Sequence, residues 1–223
     1  SNDDQLDPLD ARLERVMNPA YLGTEAGVDD RYVASASVRL PEGIEGEYYL
    51  IVSSDIRGEV GEAGEAGEQD NNVAAGSPMD VTLTPPPDLR VTQVAGPATH
   101  EAVSGAAVHL AWRVENLGSG ATQAADWTDR AYLSADGSLD DGDTLLGHVR
   151  RIGDLAGGES YVHHATFPLP VDAAGDWRLL VQTDAHDEVY EHVFESNNVG
   201  ADPEPLTVHL TPPPDLRTTS VTV

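Results

Sequence analysis

The chain has no cysteine, only two methionines and 5% aromatic residues in 223 positions. Absent cysteine excludes disulfide frameworks, thiolate metal sites and cysteine nucleophiles together. Lysine is missing too, so all twelve basic residues are Arg, against 39 Asp plus Glu, for a formal charge of −27. That charge repels a phosphate backbone and excludes nucleic acid as a partner. Nothing approaches the ~20 consecutive apolar residues that span a bilayer, so the segment has no predicted membrane span. The opening Ser1-Asn2-Asp3-Asp4 is neither a signal peptide nor an initiator Met, and predicts a segment of a longer chain. What is present, 39% hydrophobic residues, suffices for one large or two modest packed cores. The acidity leaves three readings open: a salt-adapted surface, a G·C-rich genome that favours Arg codons, and carboxylates that ligate calcium.

The chain repeats itself. Val81-Thr82-Leu83-Thr84-Pro85-Pro86-Pro87-Asp88-Leu89-Arg90 recurs as Val208-His209-Leu210-Thr211-Pro212-Pro213-Pro214-Asp215-Leu216-Arg217, an offset of 127. Gly46 to Asp55 matches Gly175 to Asp184 at an offset of 129, and Ser1 to Asp7 matches Ser134 to Asp140 at 133. These matches predict one complete unit over 85–211, the later portion of a truncated unit over 1–84, and the first strand of a following unit over 212–223. The truncated copy lacks a counterpart of Trp112, which predicts an exposed apolar face and an open strand edge. Three residues of polyproline geometry extend ~9 Å and resist bending, so units are expected to follow one another as a semi-rigid rod.

Val108, Leu110, Trp112 and Val114 alternate with His109, Ala111, Arg113 and Glu115, the period of a strand with one buried face. Further strands are predicted at Asp129–Ser134, over 161–169, over 177–181, over 206–210, after Asp88, and as a short piece near Leu145 to Val149. Residues 32–40 should repeat the strand of 161–169. About seven short strands without a helix predict an all-β, immunoglobulin-like β-sandwich, one copy complete and one truncated. Trp112 and Trp177 fall in the inward register, whereas Trp127 and Tyr132 are the candidates for an exposed contact.

Several motifs stand in a shared order. Pro-Asp-Leu opens a strand; Val103-Ser104-Gly105 precedes Trp112 in a strand ending Glu115-Asn116-Leu117-Gly118; Tyr132-Leu133-Ser134 leads into Asp136, Leu139, Asp140 and Asp143; and Glu195-Ser196-Asn197-Asn198 closes. In this order the chain resembles the CARDB family, the cell-adhesion-related domain found in bacteria, over all of 85–211 and, truncated, over 1–84. The resemblance implies an immunoglobulin-like fold, tandem copies in long secreted or surface proteins of prokaryotes, and no catalytic residues.

The sharpest chemical constellation is Asp136, Asp140, Asp141 and Asp143 after a strand, mirrored by Asp3, Asp4, Asp7 and Asp10. Carboxylates at such spacings can converge on calcium, which takes six to eight oxygen ligands. The alternative is an acidic turn whose Asp side chains bond their own backbone. A second acidic group, Asp184, Asp187, Glu188, Glu191, Glu195 and Asn197, recurs as Asp55, Glu59, Glu62, Asp70 and Asn71. Here a structural role is favoured over a metal, with Asn197-Asn198 and Asn71-Asn72 holding a loop. The Glu- and Gly-rich stretch from Gly58 to Gly67 reads as a mobile loop. His163-His164 point to opposite faces of a strand and cannot share one ion unaided. Nucleophile elbows and phosphate loops are missing from the sequence. The expected role is a non-catalytic extracellular or cell-surface module, a spacer or adhesion segment with calcium as its candidate stiffener. Its partners would be neighbouring copies in the same chain and a surface, protein or glycan target. The alternative is an accessory or glycan-binding module of a secreted enzyme.

Overall fold

In the computed structural model, which describes residues 1–17, 32–57, 72–212 and 215–219, every regular element is a β-strand. With no helix among the described residues, none is long and apolar enough to cross a membrane. The chain divides into two units, Ser1–Thr84 and Pro85–Val223.

The first unit holds β1 (Gly46–Tyr48), β2 (Ile51–Ser53), β3 (Val73–Ala75) and β4 (Met79–Val81). They form two antiparallel ribbons, β1 with β4 and β2 with β3. None of its described residues is buried. Residues 32–40 carry no strand, contrary to expectation. Their counterpart in the second unit is paired along its whole length to a neighbour, and no such neighbour exists among the described residues of the first.

The second unit holds β5 (Leu89–Ala95), β6 (Glu101–Val103), β7 (Ala107–Asn116), β8 (Asp126–Ser134) and β9 (Thr144–Ile152). After them come β10 (Ser160–Pro168), β11 (Gly175–Gln182), β12 (Val199–Ala201) and β13 (Leu206–His209). One sheet runs β10-β7-β5 and the other β6-β13-β11-β8-β9, with β12 also on β11. Alternation places Val108, Leu110, Trp112 and Val114 of β7 in the core, together with Leu89 and Val94 of β5, Leu179 and Val181 of β11, and Leu206 and Val208 of β13. Trp177 is half-buried against the same cluster. Two strands, β6 and β12, were not legible because three residues are too few for a period to show. The strand near Leu145 proves longer than expected, since β9 pairs with β8 from Asp126 to Leu133 around a bulge.

The end of the proline connector belongs to this unit. Pro87, Asp88 and Leu89 are buried. Asn116 Oδ1 accepts the amides of Asp88 and Gly118, each at 3.0 Å, while its Nδ2 donates to the carbonyls of Gly120 at 2.8 Å and Leu155 at 3.0 Å. A side chain at Gly120 would place its Cβ 1.8 Å from the Pro85 carbonyl oxygen, so only glycine lets this loop close on the prolines.

Candidate functional site

Asp136, Asp140, Asp141 and Asp143 lie in the turn between β8 and β9. Asp136 Oδ1 accepts the Ser138 amide at 2.8 Å, Asp140 Oδ1 the Gly142 amide at 2.7 Å, and Asp143 Oδ2 the Asp140 amide at 3.0 Å. The first copy repeats every bond: Asp3 Oδ1 accepts from Gln5 at 2.9 Å, Asp7 Oδ1 from Leu9 at 2.7 Å, and Asp10 Oδ2 from Asp7 at 2.9 Å. Asp4 and Asp141 stand exposed beside them. The first two bonds of each copy are Asx turns, in which the carboxylate accepts from the amide two residues on, and in the third the carboxylate reaches back to an amide three residues earlier. The Asp7 amide, followed by the Ser1 side chain, holds the Asp10 carboxyl below its usual range.

The convergence occurs elsewhere. Among the described residues, the group whose ligand atoms all lie within 4.8 Å of one another is Asp184, Glu191 and Glu195, in the loop from β11 to β12. Asp184 opens that loop at a positive φ of 46°, and its two oxygens accept the amides of Glu188 at 2.7 Å and Val189 at 3.0 Å. Val189 then plugs the loop into the core. Glu191 is fully buried: Oε1 accepts the Leu89 amide, and Oε2 accepts Asn198 Nδ2 at 2.5 Å. Glu195, exposed, accepts the Glu191 amide at 2.7 Å through Oε1. Asn197 Nδ2 donates to Asp88 Oδ1 at 3.0 Å, a second tie between this loop and the start of β5.

Burial is the main reason that the Glu191 carboxyl is raised to about 7; the Leu89 and Asn198 donors oppose it, and the charges of Glu195 and Asp184 add to it. Burial likewise raises Asp184 to about 6 against its two backbone donors, with Asp187 and Glu195 adding to the rise. The loop is therefore held by its acidic groups, as the structural reading has it, while also bringing three carboxylates together. Each bonded oxygen keeps a second lone pair, and the donor set is all oxygen, which suits a hard divalent cation. Glu59, Glu62, Asp70, Asn71 and the stretch from Gly58 to Gly67 lie outside the described residues. Asp55 keeps the positive φ of its counterpart, at 39°.

One buried charged group escaped the sequence reading. Asp129, fully buried, accepts Trp112 Nε1 at 2.8 Å, Thr183 Oγ1 at 2.8 Å and the Tyr161 hydroxyl at 2.8 and 2.9 Å. His163 Nδ1 stands 3.3 Å away. Burial, and then the Asp129 charge, push the Tyr161 hydroxyl well above its ordinary value. The bonds to Asp129 tie Trp112 and Tyr161 of one sheet to the other and so fix how the two sheets face each other. Trp127 also requires a correction: it is fully buried and donates to the Tyr161 hydroxyl at 3.1 Å rather than offering an exposed contact. Both Asp129 and Trp127 share the parity of Ala131 and Leu133, which puts Asp129 inside in the predicted strand, and extending that strand back to Asp126 puts Trp127 inside as well.

The CARDB family model matches residues 86–202, more than half of the chain. No curated protein matches it. Among solved structures, a crystal structure of the CARDB domain of a Pyrococcus furiosus protein, in complex with di-metal ions, is 22% identical. It covers 58% of this chain and 100% of its own, at a TM-score of 0.42. A solution structure of the same domain is 25% identical at a TM-score of 0.39, covering 56% of this chain and 97% of that one. A β-glucosidase from Thermotoga neapolitana matches 52% of this chain at 15% identity and a TM-score of 0.33, over 15% of its own length. On the family match, the chain belongs to the CARDB family, whose domains are non-catalytic modules of adhesion type.

Proposed function

We propose that the chain is an extracellular spacer or adhesion segment of a long prokaryotic surface or secreted protein, made of copies of one β-unit and stiffened by calcium. The observation that carries this reading is the recurrence of closing strand, three prolines and opening strand at residues 81–90 and 208–217. Polyproline geometry resists bending, which is the property a spacer's connector needs. Burial of Pro87, Asp88 and Leu89 supports it, because the connector then ends inside a core rather than in solvent. The partners in this reading are neighbouring copies of the unit and a surface, protein or glycan target.

Two measurements test it. Antibodies raised against the chain should stain intact, unpermeabilised source cells or recover it from the medium; staining that requires permeabilisation overturns the location. The purified chain should turn over no ester, peptide or glycoside substrate. Robust heat-labile turnover overturns the non-catalytic role.

A further inference from the structure

Asp184 and Glu191 are 1% and 0% exposed, and among ion pairs between described residues none includes Asp184, Glu191 or Glu195. Three carboxylates are thus gathered, two of them away from water, with no side-chain cation paired to them. A second observation is independent of their charge. Asn198 is 5% exposed, its Nδ2 donates to Glu191 Oε2, and its Oδ1 is buried with no hydrogen-bond partner. That oxygen shares a carbon with the nitrogen that touches Glu191, so it lies one amide group away from a carboxylate of the cluster. A buried amide oxygen without a donor is a neutral hard ligand awaiting a partner.

Coordination habit discriminates between ions. Magnesium demands near-octahedral ligands at roughly 2.0–2.1 Å and keeps several of its waters, whereas calcium at roughly 2.3–2.6 Å accepts irregular sets of carboxylate and amide oxygens. Three carboxylates of one loop, with one oxygen of each lying within 4.8 Å of the others, make an irregular set of that kind.

We propose that Asp184, Glu191, Glu195 and the amide oxygen of Asn198 form a calcium site, and that its occupancy clamps the start of β5 through the bond from the Leu89 amide to Glu191. This deepens the module reading by naming the residues that do the stiffening. It also moves the ligand set away from the Asp-rich turn, whose carboxylates cap backbone amides.

The test is calorimetric titration of the chelator-treated full chain with calcium chloride, alongside magnesium chloride, at matched ionic strength. One saturable calcium site is expected in the second unit, with magnesium at least 10-fold weaker. Glu195→Gln should lower calcium affinity at least 10-fold. Its exposed side chain still accepts the Glu191 amide and loses a charge that repels Glu191 and Asp184, so the chelated variant should melt no lower than the wild type does. Asp140→Ala should bind calcium unchanged. Hydrogen exchange at the Leu89 amide should slow at least 10-fold on saturation. Loss of binding in Asp140→Ala with retention in Glu195→Gln would transfer the site to the turn. An equal response to both salts, or none, would remove the site, and binding without slower exchange at Leu89 would remove the clamp. None of these outcomes bears on surface location or turnover, so the module reading fails or survives separately.

Discussion

Val52 and Val181 stand on the same rung of the same ribbon, yet Val52 is 69% exposed and Val181 is fully buried. In the first unit Ile51, Val52 and Ser53 pair with Ala75, Ala74 and Val73; in the second Leu180, Val181 and Gln182 pair with Ala201, Gly200 and Val199. The other ribbon agrees as closely: Gly46, Glu47 and Tyr48 pair with Val81, Asp80 and Met79, as Gly175, Asp176 and Trp177 pair with Val208, Thr207 and Leu206. Even the loop bonds correspond, since Ser54 donates to the Asn72 carbonyl at 2.8 Å as Thr183 does to Asn198 at 3.0 Å. The second unit differs in having β5, β7 and β10 facing this ribbon. Strand register therefore follows from local alternation and turn geometry, whereas burial comes from a second sheet.

The widest gap between the units should appear on removing Trp112. Trp112→Ala leaves a cavity and takes a donor from buried Asp129, at a cost of about 3–5 kcal/mol. Calorimetric unfolding of the full chain should then show the main cooperative transition at least about 10 °C lower. An unmoved transition would mean that the sheet carrying β7 is not what separates the units.

A matched pair sharpens the point. Val181→Ala should cost about 2 kcal/mol by denaturant unfolding, and Val52→Ala less than about 0.5 kcal/mol. Equal costs would show that the first unit buries its valine in solution after all.

The smallest effect is electrostatic, and it belongs to the second unit. Glu191 and Asp184 are raised to about 7 and about 6 when folded, so the native state holds protons more tightly than the unfolded one. Their contribution is fully present below the ordinary carboxyl range and is lost as pH rises through about 6 and then 7. In chelator, the melting temperature should fall by several degrees between pH 5 and 7.5. Glu191→Gln should flatten that slope. A melting temperature that rises over the window would contradict the burial of these acids. Their near neighbours, Asp187 and Glu195, are negative and reinforce the sign.

Much of this was legible beforehand. Four alternating residues sufficed for β7. Trp127 lies inside, not exposed as expected, because β8 starts at Asp126, three residues before the predicted start, and so gives Trp127 the parity of Leu133. The strand of 32–40 failed to form because alternation states which face a residue would bury and says nothing about whether a neighbouring strand is there to pair with it. For Asp136, Asp140 and Asp143 the sequence leaves two alternatives open, since spacing alone does not say whether a carboxylate turns back to nearby amides or outward to an ion; the structure shows the bonds to nearby amides.

By itself, then, the sequence determined the all-β class, the recurring segments, the inward faces of β7 and β11 and the family, because these are written in local periods and in the order of motifs. The tertiary structure alone decided which acids converge. Glu191 meets the Leu89 amide across 102 positions of chain, and Asn197 meets Asp88 across 109. No local period encodes such a meeting; it exists only once two sheets have closed on a common core and brought the loop after β11 against the first residues of β5.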